Sequence, residues 1–184
     1  MFDIISLQDY NIVFDVEESL DDLRWNAITK ATTYSKLSWF ITLSDDTWFF
    51  IEELWWLPWV AVRRWWWELK NEISDVEFLE FFKKKVFTLT NLDSYFEYEI
   101  AIALPNWDCT TINEKSYWKI DKNKLFEVEG HEWGYPLSKC FVHTLDWKTW
   151  CEYSDHEKQI RDQKIIWKIK QVLKKYLQDW ILMK

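Results

Sequence analysis

Residues 40–68, FITLSDDTWFFIEELWWLPWVAVRRWWWE, join an apolar, strand-like run to two adjacent carboxylates, Asp45 and Asp46, and then crowd tryptophans around Pro58. An apolar run that stops at acids is how an α/β sheet presents carboxylates at the C-terminal end of a strand, so chemistry is expected there. Trp48, Trp55, Trp56, Trp59 and Trp65 to Trp67 stand where the chain has to turn tightly. Tryptophan is a poor turn residue, because such bends accept hydrogen as a side chain and little else.

The chain holds 16 Trp and 2 Gly, whereas ordinary usage of about 7% glycine would supply roughly 13 in a chain of this length. The tryptophan excess and the glycine deficit are of similar size. The pattern fits a gene in which the codon UGA means glycine and has been translated conceptually as tryptophan. The competing reading is a tryptophan-rich core, since most aromatic side chains are simply core. A core does not place indole specifically at turns. The codons behind Trp55 and Trp56 separate the two readings, and UGG at both would exclude recoding.

A hydrophobic fraction of 48% with interspersed charge rules out a disordered chain, and 184 residues are enough for one domain or two closely packed lobes. The net charge of −8, with no compensating basic run, argues against a nucleic-acid backbone as the main partner. A polyphosphate remains accessible to such a chain through Mg²⁺ and a few local lysines. Cys109, Cys140 and Cys151 are odd in number and lack C-x-x-C spacing, so neither a zinc site nor a disulfide framework is expected. The N-terminal MFDIISLQDY has no basic leader segment, and Glu52, Glu53, Arg63 and Arg64 interrupt the most apolar stretch. No membrane association is expected, and the cytoplasm is the expected compartment.

Along the chain, residues 2–7 read as a short buried strand. From Glu17 to Ser38, Leu20, Leu23, Ala27, Ala31 and Tyr34 recur at helical spacing. Ser74, with Glu77 three residues on and Val76, Leu79, Phe82 and Val86 behind, predicts a helix opened by a capping box. Residues 95–105 and 109–120 alternate as two strands joined at Asn106 and Trp107, and a last helix is expected from Asp155 to about Gln178.

Read with glycine at Trp48, Trp55, Trp56, Trp59 and Trp67, the opening segment resembles the signature of the inosine triphosphatase family: DDSG, a short apolar strand, then LGGxPGVYSARYAGE. Asp45, Asp46, Leu54, Pro58, Val60, Arg64 and Glu68 match it unchanged and without a gap. A second match runs from Asp146 to Gln159, DWKTWCEYSDHEKQ against DGKTFAELSxEEKN, with Trp147 at the glycine. Asn26, Ala27, Lys30 and Ala31 match ENAxxKA, Gly134 and Tyr135 match the GFGYDPIF loop, and Trp118 falls at the glycine of GxI.

The resemblance implies an α/β fold, an elongated twisted mixed sheet flanked by helices, with two lobes around a nucleotide cleft and residues 1–184 forming a single pyrophosphatase-like domain. It implies Mg²⁺-dependent hydrolysis of ITP, dITP and XTP to the monophosphate and pyrophosphate, by a cytoplasmic homodimer. Asp46 would be the catalytic base, Asp45 and Asp46 the metal ligands, and Lys30, Thr47, Trp48, Gly134, Tyr135 and Lys164 the substrate contacts. Several positions depart from the pattern. Trp25 replaces the family's metal-binding carboxylate, Pro136 replaces the aspartate after the loop tyrosine, and Asp162, Gln163 and Lys164 replace SHR. The first strand and its phosphate loop, TGNxxK in relatives, have no counterpart in the sequence; a start assigned at an internal methionine is the favoured expectation, and loss of the element the other. The alternative is a non-catalytic remnant of the family that binds nucleotide or dimerises.

Overall fold

Helical spacing and alternation resolve into four helices and five strands among the described residues, which are 3–17, 22–55, 58–59, 73–128 and 137–182 of a computed structural model. In chain order these are α1 (Leu23–Ser38), β1 (Thr42–Ile51), β2 (Pro58–Trp59), α2 (Asp75–Phe87), β3 (Asp93–Ala103), β4 (Cys109–Ile120), α3 (Lys122–Glu127), β5 (Phe141–His143) and α4 (Asp155–Leu182). The strands lie in one sheet in the order β2-β1-β3-β4-β5. β1 pairs antiparallel with β2, Phe49 facing Trp59, and β4 pairs antiparallel with β5, Trp118 facing His143. The architecture is therefore α/β. No helix among the described residues is long and apolar enough to cross a membrane.

The chain divides into two compact units, Met1–Trp48 with Glu97–Glu114, and Phe49–Phe96 with Lys115–Lys184. In the first, α1 starts at Leu23 because the Asp22 carboxylate accepts the Trp25 amide at 2.9 Å. Ala27 and Ala31, one turn apart on α1, pack against Ala101 and Ala103 of β3. Methyl groups on both surfaces let the helix lie close to the strand. The Ser35 hydroxyl, also buried, donates to the Phe40 carbonyl at 2.7 Å and ties the helix end to the approach to β1.

In the second unit, Phe78, Leu79, Phe82 and Val86 form the buried stripe of α2 and join a core with Phe49, Ile51, Trp118 and Ile120. Phe49, Phe96 and Phe141 meet with ring centroids 4.8, 5.0 and 5.2 Å apart, within the range of favourable aromatic pairs. The expected capping box is present: the Ser74 hydroxyl accepts the Glu77 amide at 3.2 Å, and the Glu77 carboxylate accepts the Ser74 amide at 2.8 Å. Ser74→Ala is expected to lower stability by about 1 kcal/mol, measured by urea denaturation. An unchanged midpoint would show that the box carries no net stability.

Three expectations are corrected. Among described residues 3–7 there is no strand: the Asp9 carboxylate accepts the Ser6 amide at 3.1 Å and its hydroxyl at 2.6 Å, a local turn follows, and Ile4 is exposed. Glu17 lies outside any helix, and α1 begins only after the Asp22 cap. Most consequential for the site, β1 does not stop at the acids but continues through Asp45 and Asp46 to Ile51. α3 and β5 had no counterpart in the sequence reading. With six and three residues they are too short to display a period.

Candidate active site

Strand geometry separates the two acids. Successive side chains of an extended strand point to opposite faces, so only one of Asp45 and Asp46 can look toward α1. It is Asp46. One of its oxygens accepts the Asn26 side-chain amide at 3.1 Å, and the other lies 3.4 Å from the Lys30 ammonium. Asn26 and Lys30 are four residues apart on α1 and so share a helix face. Ala27 and Ala31, seated on β3, bring that face over the acid. Asn26 is buried, and Lys30 and Asp46 are mostly shielded.

Asp45 is exposed and accepts the Thr47 hydroxyl at 3.3 Å, two residues along on its own face. The structure joins Asp46 to Asn26 and Lys30, while Asp45 bonds Thr47. Trp48, expected at a tight turn, lies instead within β1 and has no positive φ; it is half-buried and falls on the Asp46 face by strand alternation. Lys164 is exposed on α4, in the second unit. Gly134 and Tyr135, together with Val60, Arg64 and Glu68, lie outside the described residues.

The sequence reading missed Glu97 and Glu99. On β3 they share a face with Ala101 and Ala103, the residues that receive α1. The Asn113 side-chain amide donates to Glu97 at 3.1 Å and to Glu99 at 2.9 Å, and Glu99 is buried. The available signal was acids at every second position in EYEIAIA, in phase with the small residues. Among the described residues no group of three or more His, Cys, Asp or Glu side chains could hold a metal ion. Trp25, at the position of the family's metal carboxylate, is exposed, and an indole offers no oxygen ligand. Among the described residues, then, the donor set does not fit a metal caged by the protein.

The second matched segment, Asp146 to Gln159, supplies structure in the second unit. Thr149 pairs reciprocally with Glu152, whose carboxylate accepts the Thr149 amide at 2.7 Å, and Ser154 does the same with Glu157 at 2.8 Å. Lys124 lies 2.6 Å from Glu152, and Lys148 bonds Glu157. These lysines, followed by the capping hydrogen bonds, hold both carboxyls down to about 2. Arg161 donates to Asp146 at 3.2 Å and lies over the Tyr153 ring, 4.5 Å from its centroid. Burial, followed by the nearby Arg161 charge, lowers the pKa of His143 and keeps it neutral at pH 7. Its Nδ1 accepts the Leu145 amide at 3.2 Å, so the 4.0 Å approach to Asp146 is not a charged pair.

Because Glu152 and Glu157 are more acidic folded than unfolded, they favour folding above the ordinary value of 4.5, and that contribution is lost as pH falls through about 2. Glu152→Gln with Glu157→Gln is expected to flatten the stability profile between those values. An acid limb as steep as that of the parent chain would contradict the assignment.

No protein-family model matches the chain, and no curated protein matches it at a significant level. Its three-dimensional form does match solved structures, and the likeness is one of fold. Those matched include the nucleoside-triphosphatase, or dITP/XTP pyrophosphatase, of Mycobacterium abscessus, with TM-score 0.61, 18% identity and coverage of 87% of this chain and 81% of that one. The Staphylococcus aureus Ham1 protein matches with TM-score 0.66 and 22% identity over 86% of this chain and 77% of its own. A HAM1 protein from Coxiella burnetii matches with TM-score 0.68 and 22% identity over 91% and 84%. At these identities the likeness is one of fold, and at that level it agrees with the resemblance read from the sequence.

Proposed function

We propose that this chain hydrolyses aberrant purine nucleoside triphosphates, ITP, dITP and XTP, to the monophosphate and pyrophosphate. The observation that carries the reading is Asp46, clamped by Asn26 and Lys30 on a fold shared with a dITP/XTP pyrophosphatase. Asn26 fixes the orientation of the carboxylate, and Lys30 keeps positive charge beside the place where phosphate oxygens would gather. Asp46 then aligns a water for attack on phosphorus and accepts its proton. Bound Mg²⁺ would neutralise phosphate charge and activate water, with Asp46 its ligand from the chain. Asp45, on the other face, is left out of that set. Thr47, Trp48, Gly134, Tyr135 and Lys164 enter as substrate contacts, and the two-lobed nucleotide cleft and cytoplasmic homodimer are parts of the same proposal.

The test is Mg²⁺-dependent pyrophosphate release from ITP, XTP and dITP, with ATP and GTP as comparators. Preferential release from the first three supports the reading. Trp25 favours a second one: with an indole at the family's metal carboxylate, the chain would bind nucleotide without turning it over. Saturable binding of ITP with no pyrophosphate released, from a folded protein, selects that alternative.

A further inference from the structure

Among the described residues, five other than glycine have positive φ: Asn11 at 55°, Trp39 at 59°, Trp55 at 62°, Trp107 at 80° and Trp147 at 57°. Asparagine is an ordinary occupant of this region, because its short polar side chain bonds locally. Tryptophan is not, because its β-carbon crowds the following carbonyl and its ring gives nothing back. Four of these five residues are nevertheless tryptophan.

Each of the four closes a different turn through its backbone. Trp39, with ψ 19°, caps α1, and its amide donates to the Ser35 carbonyl at 2.9 Å. Helices commonly place glycine at this left-handed cap. Trp55, with ψ −50°, ends the short 3₁₀ turn after β1 and donates to Glu52 at 3.0 Å. Trp107 follows Asn106 in the β3–β4 turn and donates to Leu104 at 3.1 Å, where Asn-Gly is the favoured hairpin pair. Trp147 donates to the His143 carbonyl at 2.9 Å.

The side chains make no compensating use of these positions. Their exposures are 78% for Trp39, 81% for Trp55, 67% for Trp107 and 62% for Trp147. Lys36 lies over the Trp107 ring at 3.3 Å, but that contact is at the surface. Trp118 shows the opposite behaviour: it is 6% exposed, has no positive φ, and packs against Phe96 and His143. Trp25 and Trp167 are exposed at 56% and 61% without positive φ, so the dihedral and not the exposure sets the four apart. These four are positioned by their amides and present their rings to water.

We infer that Trp39, Trp55, Trp107 and Trp147 are glycine in the polypeptide the cell makes, each encoded by a UGA codon read as glycine. The dihedral evidence is independent of the proposed activity. Trp39 is also independent of the family resemblance, since no motif quoted for that resemblance covers it. Trp118, although it falls at a family glycine, lacks the signature and is not included.

Peptide mass spectrometry of the protein purified from its native cell tests the assignment directly. Glycine at all four positions is the expected result, and tryptophan at any one of them overturns it. A recombinant pair gives a second reading: the chain as printed against the variant W39G/W55G/W107G/W147G. The variant is expected to denature at a higher midpoint. An equal or lower midpoint would overturn the claim that these backbones call for glycine.

Discussion

Asp46→Asn is expected to reduce pyrophosphate release by about 10²–10⁴-fold, the usual contribution of a positioned general base, while leaving a folded protein. Asparagine has the shape of aspartate but carries no charge and cannot take a proton from water. It also leaves the Lys30 ammonium beside a neutral amide in a mostly shielded site, so a modest stability loss of about 1.5–3 kcal/mol should accompany the lost turnover. Denaturation and near-UV circular dichroism separate the two effects. Asp45→Asn is the control: on the opposite face and bonded only locally to Thr47, it should leave turnover within a few-fold of the parent. If Asp45→Asn abolished release and Asp46→Asn did not, the choice of base would be wrong.

Phe82→Ala should cost about 3–5 kcal/mol, a large part of the roughly 5–15 kcal/mol that holds a typical domain folded. Phe82 is fully buried on α2, and its ring stands 6.0 Å from that of Phe78. Removing it deletes transfer free energy and leaves a cavity that a helix anchored by its own capping box cannot easily collapse to fill. Phe87, at the end of the same helix, is exposed, and its replacement by alanine should stay within about 0.5 kcal/mol. Urea denaturation of both variants reads the contrast. Similar midpoints would mean that α2 does not dock by the face described.

The elements that could be read in advance are those whose instructions are local. Ser74 and Glu77 mark the start of α2 within one turn, and the helix begins where they place it. The β3–β4 pair follows from alternation on either side of Asn106, and α4 from an uninterrupted helical pattern after Ser154. Residues 3–7 misled because an apolar run does not reveal the local alternative: the Ser6–Asp9 turn satisfies the backbone within the segment. The buried Glu99 could not be picked out in advance, because its hydrogen bond comes from Asn113, fourteen residues away on the next strand.

Sequence alone placed Asn26 and Lys30 on one helix face, because four residues make about one helical turn. Of the tryptophans it singled out as glycine places, Trp55, Trp107 and Trp147 have positive φ, and Trp48 and Trp118 do not. It put Asp45 and Asp46 in one shared site, whereas side chains of a continuous strand alternate every residue. Which of the two would meet the lysine was settled only in three dimensions. The seating of Ala27 and Ala31 on Ala101 and Ala103, together with the position of β1 beside β3, turns Asp46 toward α1. A shift of one residue in that pairing would have presented Asp45 instead.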